Sequence, residues 1–266
     1  MGRRCRVREG NDQPSCYHAG QGGSLLIPCL VIPIFNHGAS IGGVLKGLED
    51  LRLPCIIVND GSGADTLSEL KRLEGEYDWL EVIHHAENRG KGAALRTAYR
   101  AAYERGSTHV VQIDADGQHA SSDIPLFLEA SRAQPRALVL GNPIFDDSVP
   151  WHRLHGRKIS RLIVWIETFS MKIADPLCGF RVIPLAPVIE IIESHRTADR
   201  MEFDPELLIR MVRAGVPVKN IDTSVRYPDF GISHFRMRED NLLIARTYIR
   251  LAIEPFRNGL TKMRRT

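Results

Sequence analysis

This sequence of 266 residues lacks the features that define several large classes of protein. Its five cysteines are odd in number and form no C-x-x-C pair, so reduced thiols are favoured over a disulfide framework or a zinc site. No uninterrupted apolar run approaches the roughly 20 residues that cross a bilayer. The net charge of +3 is too small to indicate nucleic acid binding. Together these absences favour a globular cytoplasmic protein.

The composition changes along the chain and predicts three parts. Residues 1–24 are polar and rich in glycine, without the apolar centre of a secretory signal, so we expect a disordered tail. Residues 25–230 have the pattern of one folded domain. Residues 231–266 are rich in basic side chains and predict an amphipathic helix followed by a basic tail.

Short β-rich runs alternate with helical patterns in the folded part. The predicted strands are 25–34, 55–60, 79–85, 109–114 and 137–142, and the predicted helices between them are 38–51, 65–75, 90–106 and 121–133. Nearly continuous apolar strands suit a parallel sheet that is covered by helices on both faces. The sequence therefore predicts an open α/β domain, in which ligands bind beyond the carboxyl ends of the strands.

Polar residues follow each of the first four predicted strands. The fourth strand, in VVQIDADGQHA, ends at Asp114 and Asp116, which can face the same side of an extended segment. Two crowded carboxylates need a cation to offset their repulsion, and hard oxygen ligands suit Mg²⁺ or Mn²⁺. An Asp and Gly turn without any metal is the alternative for such a short motif.

Two other loops favour an anionic ligand. The segment NRGKGAALRTAY places glycines and the cations Arg89 and Lys91 at a predicted helix N-terminus, where free N–H groups and the helix dipole attract anions. Asp60, in NDGS, can accept hydrogen bonds from a ribose or a base edge. Taken singly, each segment is also compatible with a plain helix start or a turn.

Five motifs in this order resemble a known family. They are P-x-F-N at 33–36, V-N-D-G-S at 58–62, N-x-G-K-G-x-A-L at 88–95, D-A-D-x-Q-H at 114–119 and DPLCGFRV at 175–182, and the likeness continues through 201–227. The sequence resembles the inverting family 2 glycosyltransferases of GT-A fold. It is most similar to the branch of dolichol-phosphate mannose synthase and the bacterial polyprenyl-phosphate glycosyltransferases.

The resemblance implies a fold, a reaction and the position of the nucleotide. The GT-A fold is Rossmann-like, with a mixed, mainly parallel sheet and helices on both faces. The implied reaction moves a sugar from a nucleotide-diphosphate sugar to a lipid-type acceptor, with inversion. Matched by position, Pro33, Asn36 and Asp60 lie around the nucleotide, and Arg89 and Lys91 lie near its base or diphosphate.

The resemblance also implies a metal region and a phosphate contact. Asp114, Asp116 and Gln118 would hold Mg²⁺ or Mn²⁺, with Asp114 also binding the nucleotide sugar and Asp116 essential for catalysis. Arg181, which follows Asp175 in DPLCGFR, would approach the donor or acceptor phosphates, since arginine suits phosphate geometry. The alternative for Arg181 is a surface arginine that pairs with a helix carboxylate.

The acceptor decides whether a catalytic base is needed. A hydroxyl acceptor must lose a proton, and Glu202, Asp204 and Glu206 in MEFDPE are the candidate bases, of which we select Glu202 and Asp204. A lipid phosphate acceptor needs no base. Glu202 and Glu206 share one helix face while Asp204 points elsewhere, so the three do not serve one site.

Two amphipathic segments could bind a membrane surface, where a lipid acceptor would be found. Residues 157–173 predict a helix with a broad apolar face and cations near both ends, and the C-terminal helix repeats an apolar stripe at Leu242, Ala245, Ile249, Ala252 and Phe256. Basic amphipathic helices can lie on the inner face of the cytoplasmic membrane. Packing on the domain itself or on a second subunit remains an equal alternative.

Three other functions fit the sequence less well. A sugar-phosphate nucleotidyltransferase should carry a glycine-rich, arginine-bearing loop after the first strand, which FNHGASI does not supply. A P-loop NTPase needs a glycine at a fixed distance before Gly90-Lys91, and it is missing. An inactive scaffold that binds nucleotide sugars is not excluded by fold, but it would have no need to keep both Asp114 and Asp116.

Overall fold

The computed structural model describes residues 25–145, 151–225 and 237–263. Side chains are described for 25–145, 154–225 and 239–254. The strands are β1 Pro28–Ile34, β2 Cys55–Asp60, β3 Leu80–His85, β4 His109–Gln112, β5 Leu138–Phe145, β6 Arg181–Pro184 and β7 Val218–Val225. The helices are α1 Gly38–Lys46, α2 Ala64–Glu76, α3 Lys91–Glu104, α4 Ile124–Ala133, α5 Trp151–Thr168, α6 Leu185–Ser194, α7 Phe203–Arg213 and α8 Met237–Met263.

The strands form one sheet in the order β3-β2-β1-β4-β6-β5-β7. Pairings from β3 to β4 are all parallel, and β5 pairs with β7 in parallel. Only β6 runs the other way among the described strands, antiparallel to both β4 and β5. The prediction of a mixed, mainly parallel sheet is confirmed.

Helices cover both faces of this sheet because the inner strands are apolar on both sides. In β1, Cys29 and Val31 pack into a cluster with residues of α3, α6, α7 and α8, whereas Leu30, Ile32 and Ile34 pack on the other face with residues of α1, α2 and α4. The two clusters hold the sheet edge rigidly beneath the loops.

Several predicted boundaries differ from the observed ones. The fourth strand ends at Gln112, so Asp114 lies in the following loop instead of in the strand. The predicted helix over 157–173 is α5, which ends at Thr168. Strands β6 and β7 were not predicted, because β6 lies in one continuous apolar run with α6 and β7 carries many polar side chains.

The C-terminal helix is present as α8. Leu242, Ala245, Ile249 and Ala252 of the predicted apolar stripe are all exposed, whereas Phe256 lies outside the described side chains. Within the described residues, none of the helices combines the length and the apolar character needed to cross a membrane. Where the domain ends and the C-terminal segment begins stays a prediction, because residues 226–236 are outside the described part.

Candidate active site

The polar loops converge at one edge of the sheet. The carboxyl ends of β1, β2, β3 and β4 lie at this edge because these strands are parallel. The antiparallel β6 starts opposite the end of β4, with Arg181 paired to Gln112, so the segment 175–180 enters the same edge. Sheet topology therefore unites motifs that are far apart in the chain.

Asp60 fixes the loop between β3 and α3. Its two carboxylate oxygens accept hydrogen bonds from the backbone N–H groups of Arg89, at 3.0 Å, and Gly90, at 2.7 Å. The His85 ring nitrogen Nδ1 lies 2.7 Å from the same carboxylate. Asp60 thus shapes the loop that carries Arg89, whose side chain is exposed. A contact of Asp60 or Arg89 with a nucleotide stays a prediction.

Asn36 joins the first two loops. Its side-chain oxygen accepts a hydrogen bond of 2.8 Å from Gly63 N–H, and its own N–H donates to Ser62 Oγ at 3.0 Å. The backbone of Asn36 is left-handed, with φ of 55°, which asparagine tolerates better than most residues. Pro33 is buried within β1. Both residues lie at the edge where the nucleotide is predicted to bind.

The first turn of α3 packs closely against the rest of the chain. A Cβ atom at Gly92 would lie 2.4 Å from Phe203 Cβ, so glycine is needed for α3 to approach α7. The Ala93 N–H donates to the Asp199 carbonyl oxygen at 2.9 Å. One of the free N–H groups expected to attract an anion therefore binds the protein itself.

Lys91 pairs with two acidic residues of the site, one after β4 and one in α7. Its Nζ lies 2.7 Å from Asp114 Oδ1 and 3.1 Å from Asp204 Oδ2. Asp114 follows β4 and Asp204 lies in the first turn of α7, so a single ammonium group holds together residues from distant parts of the chain. Sequence analysis had placed Lys91 near the diphosphate, but not against these two carboxylates.

Arg181 is fully buried, with 0% exposure, so the alternative of a surface arginine is wrong. Its guanidinium donates to Asp204 Oδ1 at 2.8 Å and to the carbonyl oxygens of Cys178 and Pro176 at 2.8 and 2.9 Å. Arg181 thus connects the segment before β6 to the first turn of α7 through hydrogen bonds. Its predicted contact with a phosphate stays a prediction.

A buried amide supports Asp204 from the sheet. Gln112, the last residue of β4, donates from Nε2 to Asp204 Oδ1 at 3.2 Å. The Tyr99 hydroxyl in α3 donates to Gln112 Oε1 at 2.5 Å. Sequence analysis assigned no role to Gln112 or Tyr99; the signal available was a polar glutamine inside an otherwise apolar strand.

Opposite charges set the protonation of this cluster. Burial alone would lower the pKa of Lys91, but the charges of Asp114 and Asp204 outweigh it and raise the pKa above its ordinary value. Burial would raise the pKa of Asp204, yet Arg181 and then Lys91 hold it below its usual range. The pKa of Asp114 is lowered in the same way, by Lys91 and His119. All three groups are therefore charged near neutral pH.

Asp116 has a different electrostatic environment from Asp114, and its pKa shifts in the opposite direction. Burial, and next the charge of Asp114, raise the pKa of Asp116. The backbone N–H of Gln118 donates to Asp116 Oδ1 at 3.0 Å, which fixes the turn between them. Gln118 lines a small cavity together with Asp114. The three predicted metal ligands lie in one loop of residues 114–118, and their joint binding of a metal ion stays a prediction.

The donor set of this loop fits a hard divalent cation. The charge of Asp114 raises the electrostatic cost of ionising Asp116, and a bound metal ion would offset this cost. Among the residues that the structure describes, no group of three or more His, Cys, Asp and Glu side chains surrounds a common point. A pair of carboxylates leaves positions for water and phosphate oxygens, as Mg²⁺ and Mn²⁺ prefer.

Two residues without a predicted role border Asp114. A Cβ atom at Gly179 would lie 2.1 Å from Asp114 Oδ2, so only glycine leaves room for the carboxylate. The His119 ring nitrogen Nε2 lies 3.5 Å from the same oxygen, and its Nδ1 is buried with no hydrogen-bond partner among the described residues. The His119 ring rests on Phe180, with ring centroids 5.6 Å apart.

The three acidic residues of MEFDPE occupy different environments. Asp204 lies in the site, paired as described above. Glu206 is fully buried away from it and accepts hydrogen bonds from Arg210 and Arg250. Glu202 is buried, which raises its pKa, and its Oε2 has no partner among the described residues. The catalytic roles predicted for Glu202 and Asp204 stay predictions.

A family model described as glycosyl transferase family 2 matches residues 29–184, more than half of the chain. The chain belongs to glycosyl transferase family 2. The matched part includes Asp60, Lys91, Asp114, Asp116 and Arg181 but ends before α7. The resemblance stated from the motifs is therefore confirmed.

Individual relatives within glycosyl transferase family 2 cover much of the chain. The UDP-N-acetylglucosamine–dolichyl-phosphate N-acetylglucosaminyltransferase of Methanococcus voltae is 28% identical over 215 residues, 73% of this chain and 85% of that protein. The undecaprenyl-phosphate mannosyltransferase of Micrococcus luteus is 31% identical over 160 residues, 57% of this chain and 63% of that protein.

Solved structures resemble the fold. Glucosyl-3-phosphoglycerate synthase from Mycobacterium tuberculosis, in complex with Mn²⁺ and uridine-diphosphate-glucose, superposes with a TM-score of 0.63 at 19% identity, over 86% of this chain and 78% of that one. This likeness concerns the fold alone. With the sheet order above, it confirms the predicted GT-A fold.

Proposed function

We propose that this protein transfers a sugar from a nucleotide-diphosphate sugar to a lipid phosphate, with inversion at the anomeric carbon. An acceptor phosphate oxygen forms a bond to the anomeric carbon while the bond from that carbon to the diphosphate breaks, and the nucleoside diphosphate leaves. The observation that carries the proposal is the carboxylate pair Asp114 and Asp116 after β4, beside Lys91, in a domain of glycosyl transferase family 2.

Asp114, Asp116 and Gln118 are the residues that would hold Mg²⁺ or Mn²⁺. When bound, such an ion offsets the negative charge that grows on the departing diphosphate. Lys91 is paired with Asp114 and Asp204, whereas Arg89, two residues earlier, has an exposed side chain and is the cation that favours an anionic donor. The rigid sheet keeps these charges in position before the donor arrives.

The environment of Asp204 argues against this residue as the base that a lipid hydroxyl acceptor would need. A general base must accept a proton, and the lowered pKa of Asp204, beside Arg181 and Lys91, makes it a weak base. A phosphate is already ionised and needs none. The names of the relatives from Methanococcus voltae and Micrococcus luteus refer to dolichyl phosphate and undecaprenyl phosphate. We infer a polyprenyl phosphate at the inner face of the cytoplasmic membrane.

Calorimetry with a panel of nucleotide sugars, including UDP-glucose and GDP-mannose, tests the donor with and without Mn²⁺. We expect one donor to bind only with the metal, and Asp116→Asn to weaken that binding at least about tenfold, as loss of a charged ligand does. Asp65→Asn, on the exposed side of α2, is the matched control and should bind normally. If no donor binds to the folded protein, the transferase proposal fails.

The acceptor is tested separately, by incubating the bound donor with a short polyprenyl phosphate or with the corresponding polyprenol. Transfer to the phosphate alone is expected. Transfer to the alcohol alone would contradict the lipid phosphate and restore Glu202 as a candidate base, while leaving the donor assignment intact.

A further inference from the structure

Helix α5 presents an apolar stripe to solvent. Ile159, Leu162 and Ile166 repeat at spacings of three and four residues and are 61%, 56% and 63% exposed. The opposite side of the helix, at Ser160 and Val164, is buried against the domain. The usual explanation for an amphipathic helix, that its apolar side faces its own core, therefore does not apply to this stripe.

The stripe ends at a residue whose backbone conformation is unfavourable. The Ser170 N–H donates to the Trp165 carbonyl and the Phe169 N–H to that of Ile166, which is the Schellman pattern of a helix end. Phe169 stands at the left-handed position of this motif, with φ of 48°, where glycine is usual. Its side chain is nevertheless 95% exposed. An aromatic ring is held in water at a place where glycine would be easier.

The neighbouring helix α8 also exposes large apolar side chains. The two helices contact each other on their inner sides, where Ser160 Oγ and Tyr248 OH are 2.5 Å apart. Fourteen large apolar side chains are exposed in the described part, and eight of them belong to these two helices or directly follow α5. The eight are Ile159, Leu162, Ile166, Phe169, Met171, Leu242, Ile249 and Ile253. We call this set the apolar face.

The exposed charges around the apolar face are mostly positive, with Glu239 at the start of α8 as the exception. Lys158 and Lys172 are exposed at the two ends of the α5 stripe, and Arg246 is exposed on α8. The only acidic residue of α5, Glu167, is buried and pairs with Arg213 at 2.5 Å. An apolar surface bordered by cations complements the interface of a bilayer that contains anionic lipid.

We propose that the apolar face of α5 and α8, with Phe169 at its end, docks this protein on the surface of an anionic membrane. The proposal rests on the lipid acceptor of the proposed function, because docking would bring such a lipid to the site. The same helix α5 carries Arg157, which lines the cavity beside Asp114. Docking therefore brings the bilayer close to the site through one continuous helix.

The test is sedimentation of the purified full-length protein with vesicles of phosphatidylcholine, with or without about 30% phosphatidylglycerol, a range in which basic surfaces respond to charge. We expect binding to the anionic vesicles that weakens with salt. The double variant Ile166→Gln with Phe169→Asn should bind at least about tenfold more weakly, the change expected from one lost large apolar contact. The matched control is Leu67→Gln with Leu126→Gln, two exposed leucines outside the face, which should bind as the wild type does.

A folding defect does not explain the expected loss, because asparagine tolerates the left-handed backbone of Phe169 better than phenylalanine does. Phe169→Asn alone should unfold at the same or a higher temperature than the wild type. Calorimetry of donor binding should be unchanged in these variants, so a failure of docking is distinguishable from a failure of the proposed function. The proposal is overturned if the double variant still binds vesicles fully, or if ultracentrifugation shows a wild-type dimer that the double variant dissociates.

Discussion

Among the residues that the structure describes, Asp204 is the one carboxylate that pairs with both Arg181 and Lys91. Its oxygens face Arg181 at 2.8 Å and Lys91 at 3.1 Å, and Gln112 adds a neutral donor. Sequence analysis interpreted Asp204 as a candidate base because a hydroxyl acceptor needs a carboxylate that takes its proton, and MEFDPE supplies three. Its partners lie far away in the chain, so no local pattern indicated that it serves as a counter-ion.

Replacement of Asp204 should destabilise the fold more than replacement of any acid in the metal loop. Asp204→Asn leaves Arg181 buried without a negative partner, and breaking such a pair lowers the free energy of unfolding by about 3 kcal/mol or more. Urea unfolding followed by circular dichroism measures the change.

The matched variant for this experiment is Asp116→Asn. The pKa of Asp116 is raised by burial and by Asp114, so its carboxylate is unfavourable in the folded state and its removal should leave stability unchanged or slightly higher. Equal destabilisation by the two variants would show that Asp204 is not the counter-ion we describe.

Helices α7 and α8 are joined by a second buried charge network. Glu206 accepts hydrogen bonds from Arg210 at 2.9 Å, from Arg250 at 2.6 Å and from the Ala198 N–H at 2.8 Å. Arg210 also binds Glu254 of α8 at 2.9 Å. One fully buried glutamate thus connects the helix that supplies Asp204 to the helix that completes the apolar face.

Glu206→Gln should loosen α8 more than the rest of the molecule. The amide keeps the shape but loses the charge that two arginines share, and hydrogen bonds to charged groups contribute about 2 kcal/mol each. Hydrogen exchange of the backbone amides between residues 240 and 254 should become faster, with little change in β1 to β4.

Glu69→Gln is the control for this experiment, because Glu69 pairs with Arg72 on the surface of α2. Exchange in α8 should not respond to it. If α8 exchanges at the wild-type rate in Glu206→Gln, the other contacts of this helix hold it in place, namely the packing of Tyr248 and Leu251 and the pair of Arg210 with Glu254.

The parallel half of the fold was predictable because each strand is a short apolar run that ends at a turn. β6 was not, since its four residues join α6 in one apolar stretch, where periodicity does not separate strand from helix. β6 is also the strand that brings Arg181 to the site. The sequence therefore predicted Lys91, Asp114 and Asp116 as site residues, but not the buried contacts of Arg181 that complete the arrangement.

On the scale of the whole molecule, the charged side chains of the site come from two parts of the fold, the parallel strands β1 to β4 with their helices and the part that contains β6 and α7. Lys91 belongs to the parallel half, whereas Arg181 and Asp204 arrive through the antiparallel β6 and the helix α7. Since a single cluster joins these parts, the protonation of its acids should be visible in the stability of the entire domain.

The stability difference between wild type and Asp204→Asn should depend on pH. The lowered pKa of Asp204 means that the folded protein binds fewer protons than the unfolded chain, so its contribution is complete above the unfolded pKa of about 3.9 and is lost as pH falls through the lower folded pKa. Urea unfolding between about pH 7 and 2 should show the difference shrinking below about pH 4, while the exposed variant Asp65→Asn follows the wild type throughout. A difference that stays constant down to the lowest pH would mean that Asp204 acts through its shape and hydrogen bonds, and that its charge does not hold the two halves together.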